Sequence, residues 1–266
     1  MDYMCELTGK TEEEIFADLK GVIFLNPMYG YGNSTQAKYL MADEYLSGNV
    51  REKLVLARKS AELYPEDYTV NVEALERVQP KDLTASEIAV RLGATWLPTE
   101  IVEQFMFEFL GTPRYAQWNI KVHFSAYTGE WNIEGKSYDR SNVKAYSTYG
   151  TGRINAYKII EETLNLKDVR IFDYVEDADG KKKAILNKKE TAIAQAKQEL
   201  IKQGFQDWVW SDPERRERLC RLYNDKFNSL RPREYDGSHI VFSGMNPEIE
   251  LREHQRNAVA HILYGG

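Results

Sequence analysis

The chain has 266 residues, of which 42% are hydrophobic, 12% aromatic and 29% charged, a balance that supports a folded core and excludes a disordered polyampholyte. No stretch approaches the ~18 consecutive apolar residues of a membrane span, and the N-terminus lacks the basic-then-apolar pattern of a secretion signal, so the expectation is no membrane partner and a cytoplasmic location. The net charge of −6 is unevenly spread: residues 1–112 hold 10 Lys+Arg against 19 Asp+Glu, whereas 181–233 hold 14 against 7, the pattern of an acidic and a basic module with different partners.

In chain order, Thr11-Glu-Glu-Glu14 is a capping box that opens a helix closed by Gly21. An apolar stub at 22–25 reads as a small strand before Asn26-Pro27, and a Gly/Tyr/Asn-rich turn follows. Helical spacing predicts helices over 49–63, 65–78, 85–92 and 98–110, punctuated by Pro65, Pro80 and the Gly111 and Pro113 pair. The period then changes. Ile120, Val122 and Phe124 alternate with polar residues, and Trp131 and Ile133 resume the alternation after a turn at 127–130, which makes a hairpin. A helix over 155–164 separates it from a second hairpin, 169–175 and 181–186 around Asp177-Ala-Asp-Gly180. Helices return at 190–203, at 212–228 with Asp212 as cap and Pro213 at the first helical position, and at 249–263. The fold class expected is α+β, predominantly helical with two β-hairpins in the middle.

Few motifs carry chemistry. Asn26-Pro-Met-Tyr29 resembles the Asn-Pro-Pro-Tyr of amino-methyltransferases, but the second Pro and an upstream methyl-donor loop are missing, so a strand end plus turn is the better reading. The small-residue spacing of Ala89 and Gly93 is that of a helix-turn-helix, yet Glu100, Glu103 and Glu108 make the following helix acidic, which favours a structural helical corner over DNA reading. Asp177-Ala-Asp-Gly180 has Lys188 where a calcium loop needs its bidentate acid, which leaves a hairpin turn. Thr8-Gly-Lys-Thr11 lacks the first glycine of a phosphate loop. Cys5, Cys220 and the four histidines show no metal or nucleophile spacing, so no catalytic residue and no metal ligand is assigned. The basic run is the strongest candidate: Lys181, Lys182, Lys183, Lys188, Lys189, Arg215 and Arg216, continued by Arg218, Arg221, Arg231 and Arg233 and interleaved with Phe205, Trp208, Trp210 and Tyr223. Such cations can neutralise phosphates while aromatics offer stacking surfaces; the competing reading is a solvated hairpin tip plus helical ion pairs such as Glu214 with Arg218 and Glu217 with Arg221.

Longer stretches carry a family resemblance: Leu7-Thr-Gly-Lys-Thr-Glu-Glu-Glu-Ile15, Ala42-Asp-Glu-Tyr-Leu-Ser-Gly-Asn-Val-Arg-Glu-Lys-Leu54, Asn71-Val-Glu-Ala-Leu75, Arg91-Leu-Gly-Ala-Thr-Trp96, Asn187-Lys-Lys-Glu-Thr191 and Arg231-Pro-Arg-Glu-Tyr-Asp-Gly237. Together they resemble the linker region of the large DNA methylase/helicase fusion proteins of bacterial mobile elements and phages. The final Leu251-Arg252-Glu-His254-Gln255 run resembles the segment just upstream of the phosphate-binding loop in superfamily-two helicases. The resemblance implies an adenine-specific methyltransferase upstream and an ATP-driven motor downstream, with Gln255 at the position that contacts the adenine edge. It further implies no cofactor in this stretch itself, ATP and S-adenosylmethionine for the parent protein, and as partners DNA and the flanking methyltransferase and helicase domains. The segments expected are an acidic helical region (1–112), an α+β region with a basic face (113–234) and the leading edge of a motor domain (235–266), with 231–237 as a boundary loop and the chain ending just short of the ATP site. The expected function is accessory and non-catalytic: positioning DNA or neighbouring domains beside the motor. The alternatives are a docking module without DNA contact and a part of an adenine-specific methyltransferase.

Overall fold

The structure, a computed structural model, describes residues 1–30, 36–176, 182–246 and 248–265. In chain order its elements are α1 (Asp2–Thr8), α2 (Glu12–Asp18), β1 (Ile23–Leu25), β2 (Tyr39–Met41), α3 (Ala42–Tyr45), β3 (Gly48–Asn49), α4 (Val50–Leu63) and α5 (Pro65–Arg77). Then come α6 (Thr99–Leu110), α7 (Arg114–Gln117), β4 (Lys121–Ser125), β5 (Glu130–Glu134), a π-helical turn (Lys144–Thr148) and α8 (Ala156–Leu164). The remainder is β6 (Phe172–Glu176), β7 (Lys182–Leu186), α9 (Lys188–Val209), α10 (Pro213–Phe227), β8 (Leu230–Arg231) and α11 (Glu253–Gly265). Helices dominate, and the described strands pair antiparallel in twos: β1–β2, β3–β8, β4–β5 and β6–β7. The fold is α+β and mainly helical, with the two expected hairpins in its middle.

Two compact units form, Met1–Asp82 with Asn224–Gly266, and Leu83–Tyr223. These divisions lie elsewhere than the segment limits at 112 and 234 suggested by composition.

In the first unit the capping box of α2 is complete: Glu14 N–H donates to the Thr11 hydroxyl at 3.3 Å and Thr11 N–H to the Glu14 carboxylate at 2.9 Å. Phe24, Tyr45, Val50, Leu54, Ala57 and Leu75 make the core, with Phe24 and Tyr45 stacked at 4.9 Å. The stretch 42–54, the longest of the resembling motifs, is spent on building this unit. Asn49 caps α4 by accepting from Glu52 N–H, and Lys53 Nζ donates to the Glu44, Tyr45 and Ser47 carbonyls at 2.8–3.1 Å, closing the end of α3. Arg51 donates to the Asn228 and Pro80 carbonyls and pairs with Asp82, so one guanidinium holds the two places where the chain leaves and re-enters this unit. Residues 231–237, expected as a boundary loop, belong to the same structure. Arg231 pairs with Gly48 as part of β8 and donates to the Leu46 carbonyl at 2.9 Å, and Arg233 binds Asp43 at 2.6 Å. Residues 232–237 have no regular secondary structure, as expected of a loop, but the stretch is no boundary, because its two arginines find acceptors in a segment almost two hundred residues earlier.

The second unit has the larger core. Helix α6 contributes Ile101, Val102, Phe105, Met106 and Leu110, α8 contributes Tyr157, Ile159, Ile160 and Leu164, and α9 contributes Ala194, Ile201, Phe205 and Val209. Phe105 meets Phe205 edge-on at 5.1 Å. The β4–β5 hairpin lies on this core with alternate residues inward, Val122, Trp131 and Ile133. Both of its edges are covered by helix side chains: Glu103 of α6 accepts from Val122 N–H at 2.9 Å, and Asn165 and Glu161 from Trp131 and Ile133 N–H at 2.9 and 2.8 Å. Residues four apart on a helix span about 6 Å and residues two apart on a strand about 6.6 Å, so the two spacings match.

The helix expected over 85–92 does not form. Thr84 and Glu87 make a single capped turn, after which Ile88, Val90 and Leu92 are buried while Ala89 and Arg91 face outward. That is period two, the signature of an extended segment, and Gln206 of α9 satisfies the Val90 carbonyl at 2.6 Å. Gly93 therefore does not turn between two helices; it has φ +96° and lies against the Leu164 carbonyl.

Candidate nucleic-acid interface

The approach to the second hairpin is stitched to α9. Gln198 and Thr191 accept from Val169 and Ile171 N–H at 3.1 and 3.0 Å, and Gln195 donates to the Val169 carbonyl at 3.1 Å. At the root, Asp173 accepts from Arg153 at 2.8 Å and from Asn187 at 2.7 Å, and Arg153 also donates to the Phe172 carbonyl. The Arg153 hydrogen bond, helped by Asn187, holds the Asp173 carboxyl below the usual aspartate range, so this acid is ionised and already matched by a cation.

Beyond this root the hairpin leaves the core. Every described residue of β7 is exposed, and in β6 only Asp173 is half-buried. Lys182 and Lys183 lie on β7 and Lys188 and Lys189 in the first turn of α9, all four exposed. None of the four forms an ion pair with a described residue. Two lysines in a helix's first turn work against the macrodipole by some tenths of a kcal/mol each, and they leave positive charge beside a group of exposed backbone. Lys181, named with them from the sequence, and the turn Asp177-Ala-Asp-Gly180 lie outside the described residues.

The arginines of the basic run divide. Arg215 is buried; its guanidinium stacks on the Trp208 ring at 3.5 Å and donates to the Val209 and Trp208 carbonyls, closing the end of α9. Burial holds its pKa below the ordinary arginine value. A guanidinium so engaged cannot reach a phosphate, so its role is that of a helix cap. Arg216 is exposed on α10, 3.5 Å from the Trp210 carbonyl, and Arg221 pairs with Glu217 at 3.3 Å as its helical spacing suggests. The interleaved aromatics also turn inward or pair among themselves: Phe205 is core, Trp208 donates to Glu108 at 2.6 Å, and Tyr223 meets Trp96 edge-on at 5.2 Å. Phe172 and Tyr174, which the sequence reading did not single out, are the exposed aromatics beside the lysines.

Other candidates resolve as structure. Asn26 is buried, with its amide nitrogen donating to Gln36 and the Ala37 carbonyl and its oxygen accepting from Met28 N–H at 3.0 Å. The carboxamide is buried, both its N–H groups are used, and its oxygen is turned to the Met28 N–H, so these residues do not fit a methyl-transfer site. Gln255 is exposed; its side-chain oxygen accepts from Arg252 N–H at 2.9 Å, as a helix-start residue does. A buried cluster went unnoticed in the sequence: Asp139 accepts from Tyr157 and Asn142 at 2.6 Å, and Tyr157 also meets Thr112 at 2.8 Å. It ties the chain around the π-helical turn to the end of α6. Among the described residues no group of three or more His, Cys, Asp or Glu could hold a metal ion, and no helix is long and apolar enough to cross a membrane.

No curated protein and no solved structure matches the chain. Residues 1–33 match the family described as "Probable helicase, winged helix domain", so the part holding α1, α2 and β1 is similar to a helicase-associated region. Residues 91–229, which include both hairpins and most of the second unit, match a second family over more than half of the sequence. On that match the chain belongs to the family described as Domain of unknown function (DUF8437).

Proposed function

We propose that this chain is an accessory, non-catalytic region of a DNA methylase/helicase protein, and that it holds DNA beside the motor through the lysines of the β6–β7 hairpin and the start of α9. The observation that carries this reading is the group Lys182, Lys183, Lys188 and Lys189, exposed, without an ion-pair partner among the described residues, and mounted on a hairpin whose root is fixed to α9. Cations so placed release condensed counterions when they meet phosphates and confer no sequence preference. The helicase-type match at residues 1–33 supports the same direction. Arg216 is exposed at the opposite end of the 22-residue α9 and is not part of this group; Arg215, Arg231 and Arg233 are committed to internal carbonyls and carboxylates and contribute nothing to it.

ATP and S-adenosylmethionine belong, in this reading, to neighbouring parts of the parent protein. The residues present do not fit a complete site for either: both amide N–H groups of buried Asn26 are used internally, and Gln255 already gives its side-chain oxygen to the Arg252 N–H at the helix start. Gel-shift titration of the full chain at low salt tests the proposal. We expect binding with little sequence preference, weakened about tenfold or more by K182E/K183E; absence of a shift at low salt refutes it.

A further inference from the structure

The two hairpins of the second unit begin from similar sequence patterns and end in opposite environments. In β4–β5 the apolar residues point into the core and the strand edges are covered by Glu103, Glu161 and Asn165. In β6–β7 the apolar residues face solvent: Tyr174 is 72% exposed, and Phe172 and Leu186 are each 40% exposed. A two-stranded hairpin has little stability of its own in water, and uncovered apolar edge strands invite unwanted pairing. Exposed apolar surface kept under those conditions marks a contact site.

The pairing register says what kind of contact it suits. Residues directly opposite in an antiparallel pair share a face, so Phe172, Leu186, Tyr174, Ala184, Glu176 and Lys182 lie on one side of the hairpin. The cross-strand partner of Tyr174 is Ala184, whose single methyl leaves the phenol ring without a large side chain opposite it. Lys182 stands one pair further out on the same face, and Lys183 projects from the other. An aromatic ring with an open flank, with Lys182 one same-face pair away across from Glu176 and Lys183 at the strand edge beside it, matches an unpaired nucleotide, whose base stacks while its phosphate meets an ammonium. A duplex keeps its bases stacked on one another and offers that ring only its backbone.

We infer that the β6–β7 hairpin is a stacking platform for unpaired bases, so that the DNA held at this site is single-stranded, with Tyr174 as the principal contact. This rests on the reading of the lysine face as a DNA-binding site and adds the form of the strand. The test measures binding of the full chain to a fluorescein-labelled single-stranded oligonucleotide and to the same sequence as a blunt duplex, by anisotropy at low salt. The single strand is expected to bind more tightly, Y174A to lose about tenfold on the single strand with duplex binding unchanged, and Y174F to retain wild-type behaviour, since stacking needs the ring and not the hydroxyl. K182E/K183E should weaken both forms. Equal binding of the two forms, or a Y174A variant that binds the single strand as well as wild type, overturns the inference while leaving the lysine face intact. Failure of the wild-type chain to bind either form overturns both. Because Tyr174 is exposed, an unchanged tryptophan emission spectrum verifies that the variant is folded.

Discussion

Replacing Gly93 by alanine should destabilise the second unit by about 3 kcal/mol or more. Two effects combine. At φ +96° a β-carbon is strained whatever its surroundings, and here it would also sit 2.5 Å from the Leu164 carbonyl oxygen, with the carbonyl carbon at 3.1 Å and the α-carbon at 3.2 Å. These are backbone atoms at the end of α8, a buried helix that cannot withdraw without opening the core around Ile160 and Leu164. Gly129, in the β4–β5 turn of the same unit, separates the two effects, since it also has positive φ (+71°) but nothing within 4 Å of the added carbon. G129A should therefore cost only about 1 kcal/mol. All five tryptophans, Trp96, Trp118, Trp131, Trp208 and Trp210, lie in the second unit, so urea unfolding followed by tryptophan emission reports on it alone. Equal losses for the two variants would show that the close approach at Leu164 is not a constraint.

The second large effect is expected at Glu161. This carboxylate is 6% exposed and accepts from Ile133 N–H, Lys136 and Lys158. E161A removes the acceptor that covers the outer edge of β5 and leaves a buried N–H without a partner, a loss of about 3 kcal/mol at neutral pH. Burial alone would raise the Glu161 carboxyl, but the hydrogen bonds from Lys136, Lys158 and Ile133 together outweigh it and hold it below the ordinary glutamate value. The sign follows from linkage. A folded pKa below the unfolded one means that the stabilisation is complete above the unfolded value, about 4.3, and disappears as pH falls through the lower folded value. E161Q keeps an oxygen for Ile133 N–H and loses only the charge, so its deficit relative to wild type should be largest near pH 7 and narrow as the solution is acidified below about pH 4. A deficit independent of pH would mean that the charge contributes nothing and only the shape of the side chain matters.

These two positions also show what the sequence makes legible. Helices α4, α5, α6, α8 and α10 follow from apolar spacing and from Asn49, Pro65, Asn155 and Asp212 at their starts. The segment 85–92 is extended and not helical because Ile88, Val90 and Leu92 repeat every second residue, a period that outweighs the helix propensity of the residues between them. Helix α9 begins earlier and ends later than expected, since Asn187 caps it and Phe205 and Val209 continue its buried face. The site was legible only as a composition. Arg215 and Arg216 are neighbours in sequence, yet one lies under Trp208 and the other in solvent, a difference set by how α9 meets α10. Likewise, nothing local tells a hairpin packed on a core from one left exposed. That outcome depends on whether distant helices bring acceptors such as Glu103 and Asn165 to its edges. The motif at 42–54 is long enough to suggest a family, and its residues work as caps, a clasp and core.

The central claim, that the hairpin and the start of α9 bind DNA through unpartnered lysines, is tested most directly by the salt dependence of binding for the wild-type chain and for K182E/K183E/K188E/K189E. The plot of log affinity against log salt should be steep for wild type and shallower in the variant by about 0.7 to 0.9 for each phosphate contact removed. A wild-type chain that fails to bind at low salt, or a variant with the wild-type slope, would contradict it.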